Sequence, residues 1–339
     1  MFFKKTLWDP HIKGNTMTKL TIDEQVFICE PHETVLDTLL RENVAISYTC
    51  KKGSCHGCLV RSLDSIPPEN AQIGLKDTLK KNHHFLACLC YPKQDMVIKI
   101  PSQSEFYTEG TVVVNEMLNR NTLLLIIALR DVFEFNPGQF VKLQRADGLT
   151  RSYSIANIPQ ASNTLEFHIR RLHNGKFSEW LHDEVKVGDS IAVSEAHGHC
   201  FYLSGRREQG LLLVGTGTGL APLLGILNDA LIRGHTGPIY LFHGSRDVED
   251  LYRIEEMRLL SEQHDNFHYI PCLSGDDVPE GFKSGRVNEV VLASLPDLKG
   301  WRVFLCGHPD MVNQMKKMTF LRGAASADIY ADPFLITPS

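Results

Sequence analysis

Cys50, Cys55 and Cys58 stand in the run Tyr-Thr-Cys-Lys-Lys-Gly-Ser-Cys-His-Gly-Cys, a C-x4-C-x2-C spacing, and two further cysteines follow at Cys88 and Cys90. Three close thiolates with a distant fourth are the ligand pattern of a [2Fe–2S] cluster. Soft sulfur donors suit iron, and a loop of this length wraps one side of the cluster. Gly53 and Gly57 let backbone N–H groups turn toward the sulfurs, where hydrogen bonds tune the potential. A zinc clip pairs two short C-x2-C hooks, and only one is present here. His56 lies inside the loop without the second histidine that a mixed His/Cys centre needs, and reads as an exposed loop residue. The spacing alone leaves Cys88 and Cys90 as alternatives for the fourth ligand.

The remaining bulk properties narrow the setting. Nine cysteines, an odd number, in a chain of 339 residues without a secretory signal argue against a disulfide framework. The N-terminal Met-Phe-Phe-Lys-Lys places its basic residues after its aromatics and lacks a long apolar stretch, so a cytoplasmic protein is expected. Residues 1–17 read as an N-terminal extension, with Met17 an alternative start. A net charge of −5 and the absence of a basic stripe give no sign of nucleic-acid binding. The longest strongly apolar run, Leu123 to Leu129, is too short to span a bilayer.

Three segments follow the extension, the first at 18–102. There, two short strands flank Asp23-Glu24, and Thr34 caps a helix whose Asp37 sits near the positive helix end. Val35, Leu36, Leu39 and Leu40 follow helical spacing, and a strand closes the segment at 96–100. A small sheet with one helix fits. Residues 105–206 are strand-rich: 111–114, 122–129, 139–143, 164–169 and 190–193 are strands between Gly, Pro, Asn and Asp turns, with one short helix at 177–183. That pattern predicts a small antiparallel barrel. Residues 207–339 alternate strand and helix, including a polar helix near 248–262, and predict a parallel-sheet nucleotide domain.

Local motifs carry resemblances to known families. Leu-Ala-Cys88-Leu-Cys90-Tyr-Pro resembles the Leu-Thr-Cys-x-x-Tyr-Pro ending of plant ferredoxins. This implies a β-grasp ferredoxin domain with Cys88 as the fourth ligand and Cys90 as a packing thiol. Arg151-Ser-Tyr-Ser154 resembles the Arg-x-Tyr-Ser signature of ferredoxin–NADP reductase-like flavoproteins. The resemblance implies that Arg151 pairs with flavin phosphate, Tyr153 lies on the isoalloxazine, and Ser154 bonds near its reactive nitrogen. A guanidinium matches phosphate in a bidentate fork, and a tyrosine ring offers an apolar face. Gly175-Lys176-Phe177-Ser178 resembles the second element of that family, a turn whose helix-start amides hold the pyrophosphate. His168 and Arg170 just before it are expected to add charge. The run Ser194 to Phe201 departs from the family pattern Gly-Pro-x-Gly-x-Phe, with His197 in place of Pro.

Val214-Gly-Thr-Gly-Thr-Gly-Leu-Ala-Pro222 lies at a strand-to-helix junction. There Gly215, Thr216, Gly217, Thr218 and Gly219 permit close backbone approach to phosphates. With Leu305-Cys306-Gly307-His308-Pro309 it resembles the Rossmann-like nucleotide half of the same reductases, which places Cys306 beside the nicotinamide. His308 again stands where the family has Pro. Asp332 and Phe334 resemble an acidic-x-aromatic ending that covers the flavin. Phosphate-specific relatives place an Arg where this chain reads Leu273-Ser-Gly-Asp276-Asp277. The two carboxylates would repel a 2′-phosphate, so NADH is favoured over NADPH, although Arg246 is within reach.

Taken together, residues 18–339 resemble the reductase components of bacterial multicomponent oxygenases. The resemblance implies hydride transfer from NADH to FAD, with Tyr153, Ser154 and Cys306 at the reacting centre. Single electrons then pass through [2Fe–2S] to a protein acceptor. A monomer is expected. The rival readings are a redox sensor or adaptor and a reductase serving a deoxysugar dehydrase. From Lys19 to Lys99 ten basic and ten acidic side chains balance, so charge steering by this segment is weak; Lys51 and Lys52 are expected to face the acceptor.

Overall fold

The structure is a computed structural model and describes residues 17–46, 48, 51–53, 58–100 and 107–334. Cys50 and Cys55 lie outside the described residues. The chain divides into two compact units, Met1–Ser104 and Glu105–Ser339.

The first unit is built on a five-stranded sheet in the order Gln25–Cys29, Thr18–Ile22, Met96–Lys99, Leu59–Ser62, His84–Leu86. Thr18–Ile22 and Met96–Lys99 pair in parallel and the other neighbours are antiparallel, a β-grasp arrangement. The first hairpin turns on Asp23 and Glu24, both at positive φ, as a two-residue turn between right-twisted strands requires. Thr34 and Asp37 form a reciprocal capping box: the Asp37 amide donates to Thr34 Oγ1 at 3.1 Å and the Thr34 amide donates to Asp37 Oδ2 at 3.4 Å. The helix they start, Val35–Arg41, buries Val35, Leu36 and Leu39 against Leu20, Val60 and Phe85. Each such side chain contributes about 1.5–3 kcal/mol on leaving water. A second short helix, Asp77–Lys81, adds to the one the sequence suggested.

The second unit opens with a six-stranded antiparallel sheet in the order Thr164–Arg170, Thr122–Leu129, Tyr107–Asn119, Ser190–Ser194, Phe140–Gln144, Thr150–Ser154. It curls so that the ends approach. Just past the last strand, the Ala156 amide donates to Glu166 O at 2.9 Å, and the Glu166 amide donates to Asn157 Oδ1 at 3.0 Å. The barrel seam is therefore closed by a few bonds rather than by a full ladder. Leu123, Leu125, Ile127 and Leu129 alternate into its core with Val141, Phe167 and Val193.

A parallel sheet follows in the order Lys283–Ser284, Phe267–Leu273, Ile239–Ser245, Leu211–Thr216, Arg302–Gly307, Ile329–Pro333. Strand order reverses between Leu211–Thr216 and Arg302–Gly307, which places a crevice at their carboxyl ends. The polar helix expected near 248–262 is broken. A turn of 3₁₀ helix spans Val248–Asp250, Arg253 takes the left-handed conformation at φ 56°, and the α-helix proper is Ile254–Gln263. Packing explains the break: Tyr252 is buried, and Arg253 reaches back to Glu166 on the barrel at 2.6 Å. The barrel turn 119–121 makes a second junction, where Arg120 and Asn121 bond Asp250 at 2.8 and 3.1 Å. Among the described residues no helix is long and apolar enough to cross a membrane.

Candidate functional site

A cleft of about 840 Å³ runs along the carboxyl ends of the parallel sheet and across the barrel wall. On the barrel side it is lined by Arg151, Tyr153 and Ser154 from one strand, and by Gly175, Lys176 and Ser178 from the turn into the helix Lys176–Asp183. Tyr153 packs on Phe177 at 5.9 Å between ring centroids, and burial raises its phenol well above the ordinary range, so it stays protonated. Ser178 staples the turn: its hydroxyl accepts from the Leu172 amide at 3.1 Å and donates to Gly175 O at 3.1 Å. A Cβ on Gly175 would lie 2.5 Å from that hydroxyl and 2.8 Å from Leu172 Cβ, so only glycine lets the turn close. The first-turn amides that follow have no partner within the helix and point out of its start, a cradle for an anion. This donor set fits a flavin dinucleotide.

On the opposite wall stand Thr216, Gly217 and Thr218, with Arg246 further along. Arg170 projects toward this loop from the barrel, its Nη1 3.8 Å from where a Gly217 Cβ would lie. Gly215 and Gly219 do not line the cleft; they let the loop pack. Gly307 lets the two loops meet: it adopts φ 118°, and a Cβ there would fall 2.6 Å from Thr216 Oγ1 and 2.7 Å from Thr216 O. The neighbouring His308 amide donates to Thr216 Oγ1 at 3.0 Å. The His197 amide, in turn, donates to Phe140 O at 2.7 Å. Both histidines stand where the resembled family has proline, and both use an N–H that proline lacks.

The C-terminal run forms the strand Ile329–Pro333, parallel to Arg302–Gly307, and the Phe334 amide extends the ladder to Gly307 O at 2.8 Å. Asp332 and Phe334 thereby line the cleft. Ser154 Oγ donates to Asp332 Oδ2 at 3.3 Å, linking the first barrel motif to the last strand. Burial pushes the Asp332 carboxyl up to about 6, and the Ser154 bond holds it back only in part.

Two expected site residues are buried at the edge of the cleft. His168 edges the cleft, but its imidazole adds no charge: Nδ1 meets Tyr252 OH at 3.0 Å, Nε2 meets Glu166 at 2.9 Å, and burial lowers its pKa. Arg170 alone supplies the positive charge expected of the pair. Cys306 is fully buried, its Sγ 3.9 Å from Cys200 Sγ. Alternation along its strand puts it on the face shared with Phe304, against the helix Leu220–Ile232, directly beside its in-register neighbour Asp332, while Asp332, His308 and Pro309 line the cleft itself. Sequence reasoning missed Arg286, Asn288 and Gln314 in the lining, where Asn288 donates to Gln314 at 3.2 Å. No spacing in the chain signals them.

In the first unit the cysteine loop is described only in part. Cys58 and Cys88 are buried and lie beside one backbone link, the Ala87 amide donating to Cys58 O at 3.0 Å. Gly53 takes φ 80° and packs on Leu86 and Leu89, which flank Cys88. Cys90 lies in the core, and burial pushes its thiol up to about 12, aided by nearby Cys29. Cys58 and Cys88 thus lie together at the described end of the loop.

Comparison with known proteins agrees with both units. Residues 20–93 match the model of a 2Fe-2S iron-sulfur cluster binding domain, residues 109–202 that of an oxidoreductase FAD-binding domain, and residues 213–317 that of an oxidoreductase NAD-binding domain. The chain is 36% identical to the ferredoxin–NAD(P)+ reductase component of the naphthalene 1,2-dioxygenase system of Pseudomonas putida, over 87% of this chain and 92% of that one. It is 30% identical to the phenol hydroxylase P5 protein of Acinetobacter pittii, over 90% of each. The solved Amycolatopsis cytochrome P450 reductase GcoB superposes with a TM-score of 0.66 at 27% identity, covering 94% of this chain and 98% of that one. The [2Fe–2S], FAD and nicotinamide sites seen as motifs are thus those of one family: this chain belongs to the ferredoxin–NAD(P)+ reductases of the oxygenase-component type, NAD(P)H-dependent iron–sulfur flavoprotein oxidoreductases.

Proposed function

We propose that this reductase takes its electrons from NADH and delivers them singly to a protein acceptor, the oxygenase component of a multicomponent system. The observation that carries this reading is the single cleft in which Arg151–Ser154, Gly175–Ser178, Thr216–Thr218 and Asp332–Phe334 converge. Bound FAD and [2Fe–2S] together supply the change from a two-electron hydride donor to one-electron transfer. Arg151 and the amides at the start of Lys176–Asp183 hold phosphate, and the protonated Tyr153 gives an apolar wall. Ser154 Oγ and the Asp332 carboxyl form a pair able to hold or shift one proton near neutral pH. The Asp332–Phe334 strand end shields that pair from water. Cys50, Cys55, Cys58 and Cys88 hold the cluster, with domain limits at 18–102, 105–206 and 207–339.

NADH is preferred because the run Leu273-Ser-Gly-Asp276-Asp277 carries two carboxylates and no Arg where phosphate-specific relatives place one. The Gly275 amide donates to Arg246 O at 2.9 Å, which fixes the loop bearing Asp276 and Asp277 beside Arg246 and Asp247. Local negative charge opposes a 2′-phosphate and tolerates a ribose diol. The acidic net charge supports a protein without nucleic-acid contacts, and the family resemblance supports a cytoplasmic monomer. Steady-state reduction of cytochrome c with NADH and with NADPH tests the reading. Rapid turnover with a kcat/KM favouring NADH is expected. Negligible turnover from protein carrying both chromophores would contradict it and favour a sensor.

A further inference from the structure

His243 lies in the middle of the strand Ile239–Ser245, fully buried, in a position where an apolar side chain would be ordinary. Its two ring nitrogens are both engaged. Nε2 is 3.1 Å from Gly217 O, and Nδ1 is 3.3 Å from Tyr269 OH. A carbonyl only accepts, so Nε2 carries the proton and Nδ1 accepts from the phenol. Burial keeps the ring neutral, its pKa lowered to about 4, so this tautomer persists across the working range.

Gly217 O also accepts the Leu220 amide, so the carbonyl is held from two sides. The Gly217–Thr218 peptide is planar and trans, and its N–H therefore points opposite to its C=O. With the carbonyl pinned inward to His243, the Thr218 amide is directed away from the core, and Thr218 lines the cleft. Gly217 itself sits at φ 54°, and with no Cβ its peptide can reorient when one of the two anchors is removed.

The anchor continues into the barrel. The Tyr252 ring stands edge-on to His243 at 5.7 Å and to His168 at 5.1 Å. Tyr252 OH bonds His168 Nδ1, His168 Nε2 bonds Glu166, and Glu166 pairs with Arg253. This buried array joins the glycine loop to the strand that carries Arg170.

We propose that His243 is a positioning residue for the dinucleotide, holding the Gly217–Thr218 peptide so that the Thr218 amide donates to the pyrophosphate of the nicotinamide substrate. The inference rests on the nicotinamide reading of this cleft. It is tested by calorimetric binding of ADP-ribose, which carries the pyrophosphate, and of AMP, which does not. The protein is the full chain with flavin and cluster bound, as judged by its visible spectrum. His243→Leu should weaken ADP-ribose about tenfold, a loss of about 1.4 kcal/mol, and leave AMP within about twofold. His243→Gln, whose side-chain N–H stands near that of Nε2, should recover most of the ADP-ribose affinity. Should His243→Leu fail to fold, Tyr269→Phe decides, with an expected loss of about threefold for ADP-ribose alone. Equal losses for ADP-ribose and AMP, no loss for ADP-ribose, or a glutamine variant as weak as leucine would each overturn the proposal. Wild-type protein that binds neither ligand would instead overturn the nicotinamide reading.

Discussion

The two units present sites of opposite construction. In the first, function is assigned to four side chains of one type, and two of them, Cys58 and Cys88, are brought together by a strand pair and a backbone link. In the second, the cleft is made of backbone amides, small residues and a few polar groups drawn from the barrel, the parallel sheet and the last strand. A ligand set written in side chains shows in sequence as spacing. A cradle written in backbone shows only through the residues that permit it.

The contrast predicts different failure modes. The largest effect belongs to the thiolates: Cys88→Ser should lower cytochrome c reduction on the order of 100-fold and strip iron from the protein. Cys90→Ala should keep the cluster spectrum and cost about 1 kcal/mol of stability. Retention of the cluster in Cys88→Ser and its loss in Cys90→Ala would reverse the assignment. In the cleft a single methyl should suffice. Gly307→Ala collides with Thr216 at a positive φ, and about 2 kcal/mol of strain should raise the KM for NADH about 30-fold while flavin stays bound.

A smaller effect is expected at the Ser154–Asp332 pair. Ser154→Ala should slow flavin reduction about tenfold, the worth of one hydrogen bond made to a buried carboxyl. Wild-type flavin reduction should show an inflection near pH 6 that Asp332→Asn abolishes. The sign for stability follows from a raised pKa. The fold favours the neutral acid, so its contribution is complete below the ordinary carboxylate range and is lost as pH rises through about 6. Asp332→Asn should thus melt above wild type at pH 7.5 and close to it at pH 4. The smallest effect belongs to the surface. Lys51, which is half exposed, pairs with Asp37 at 3.4 Å and lies 5.5 Å from the Tyr48 ring. Reversing the charge of Lys51 and Lys52 should slow delivery to the true acceptor about threefold at low salt, with ferricyanide reduction unchanged.

Much of this architecture was legible from residues. The capping pair Thr34 and Asp37, the alternation of Leu123 to Leu129, and the glycine run after Val214 each carry a local physical signal, and each element formed where that signal lay. What could not be read depended on distant packing. The strand Ile329–Pro333 exists because Arg302–Gly307 leaves an open edge for it, not because its sequence is strongly strand-forming. The break at Arg253 answers to Glu166 on another element. Cys306 turns into the core because of the face it shares with Phe304, and His168 and His243 are neutral partners in a buried array, which a list of polar residues does not reveal. The two histidines in place of proline tie adjacent loops through their amides.

The central claim is that one chain carries a nicotinamide-fed flavin and a [2Fe–2S] cluster in series. Anaerobic titration of the purified full-length protein with NADH, followed by its visible spectrum, tests it most directly. The account predicts flavin and iron–sulfur absorbance at the outset and bleaching of both as NADH is added. The absence of either chromophore, or a flavin that bleaches while the cluster stays oxidised at excess NADH, would contradict it.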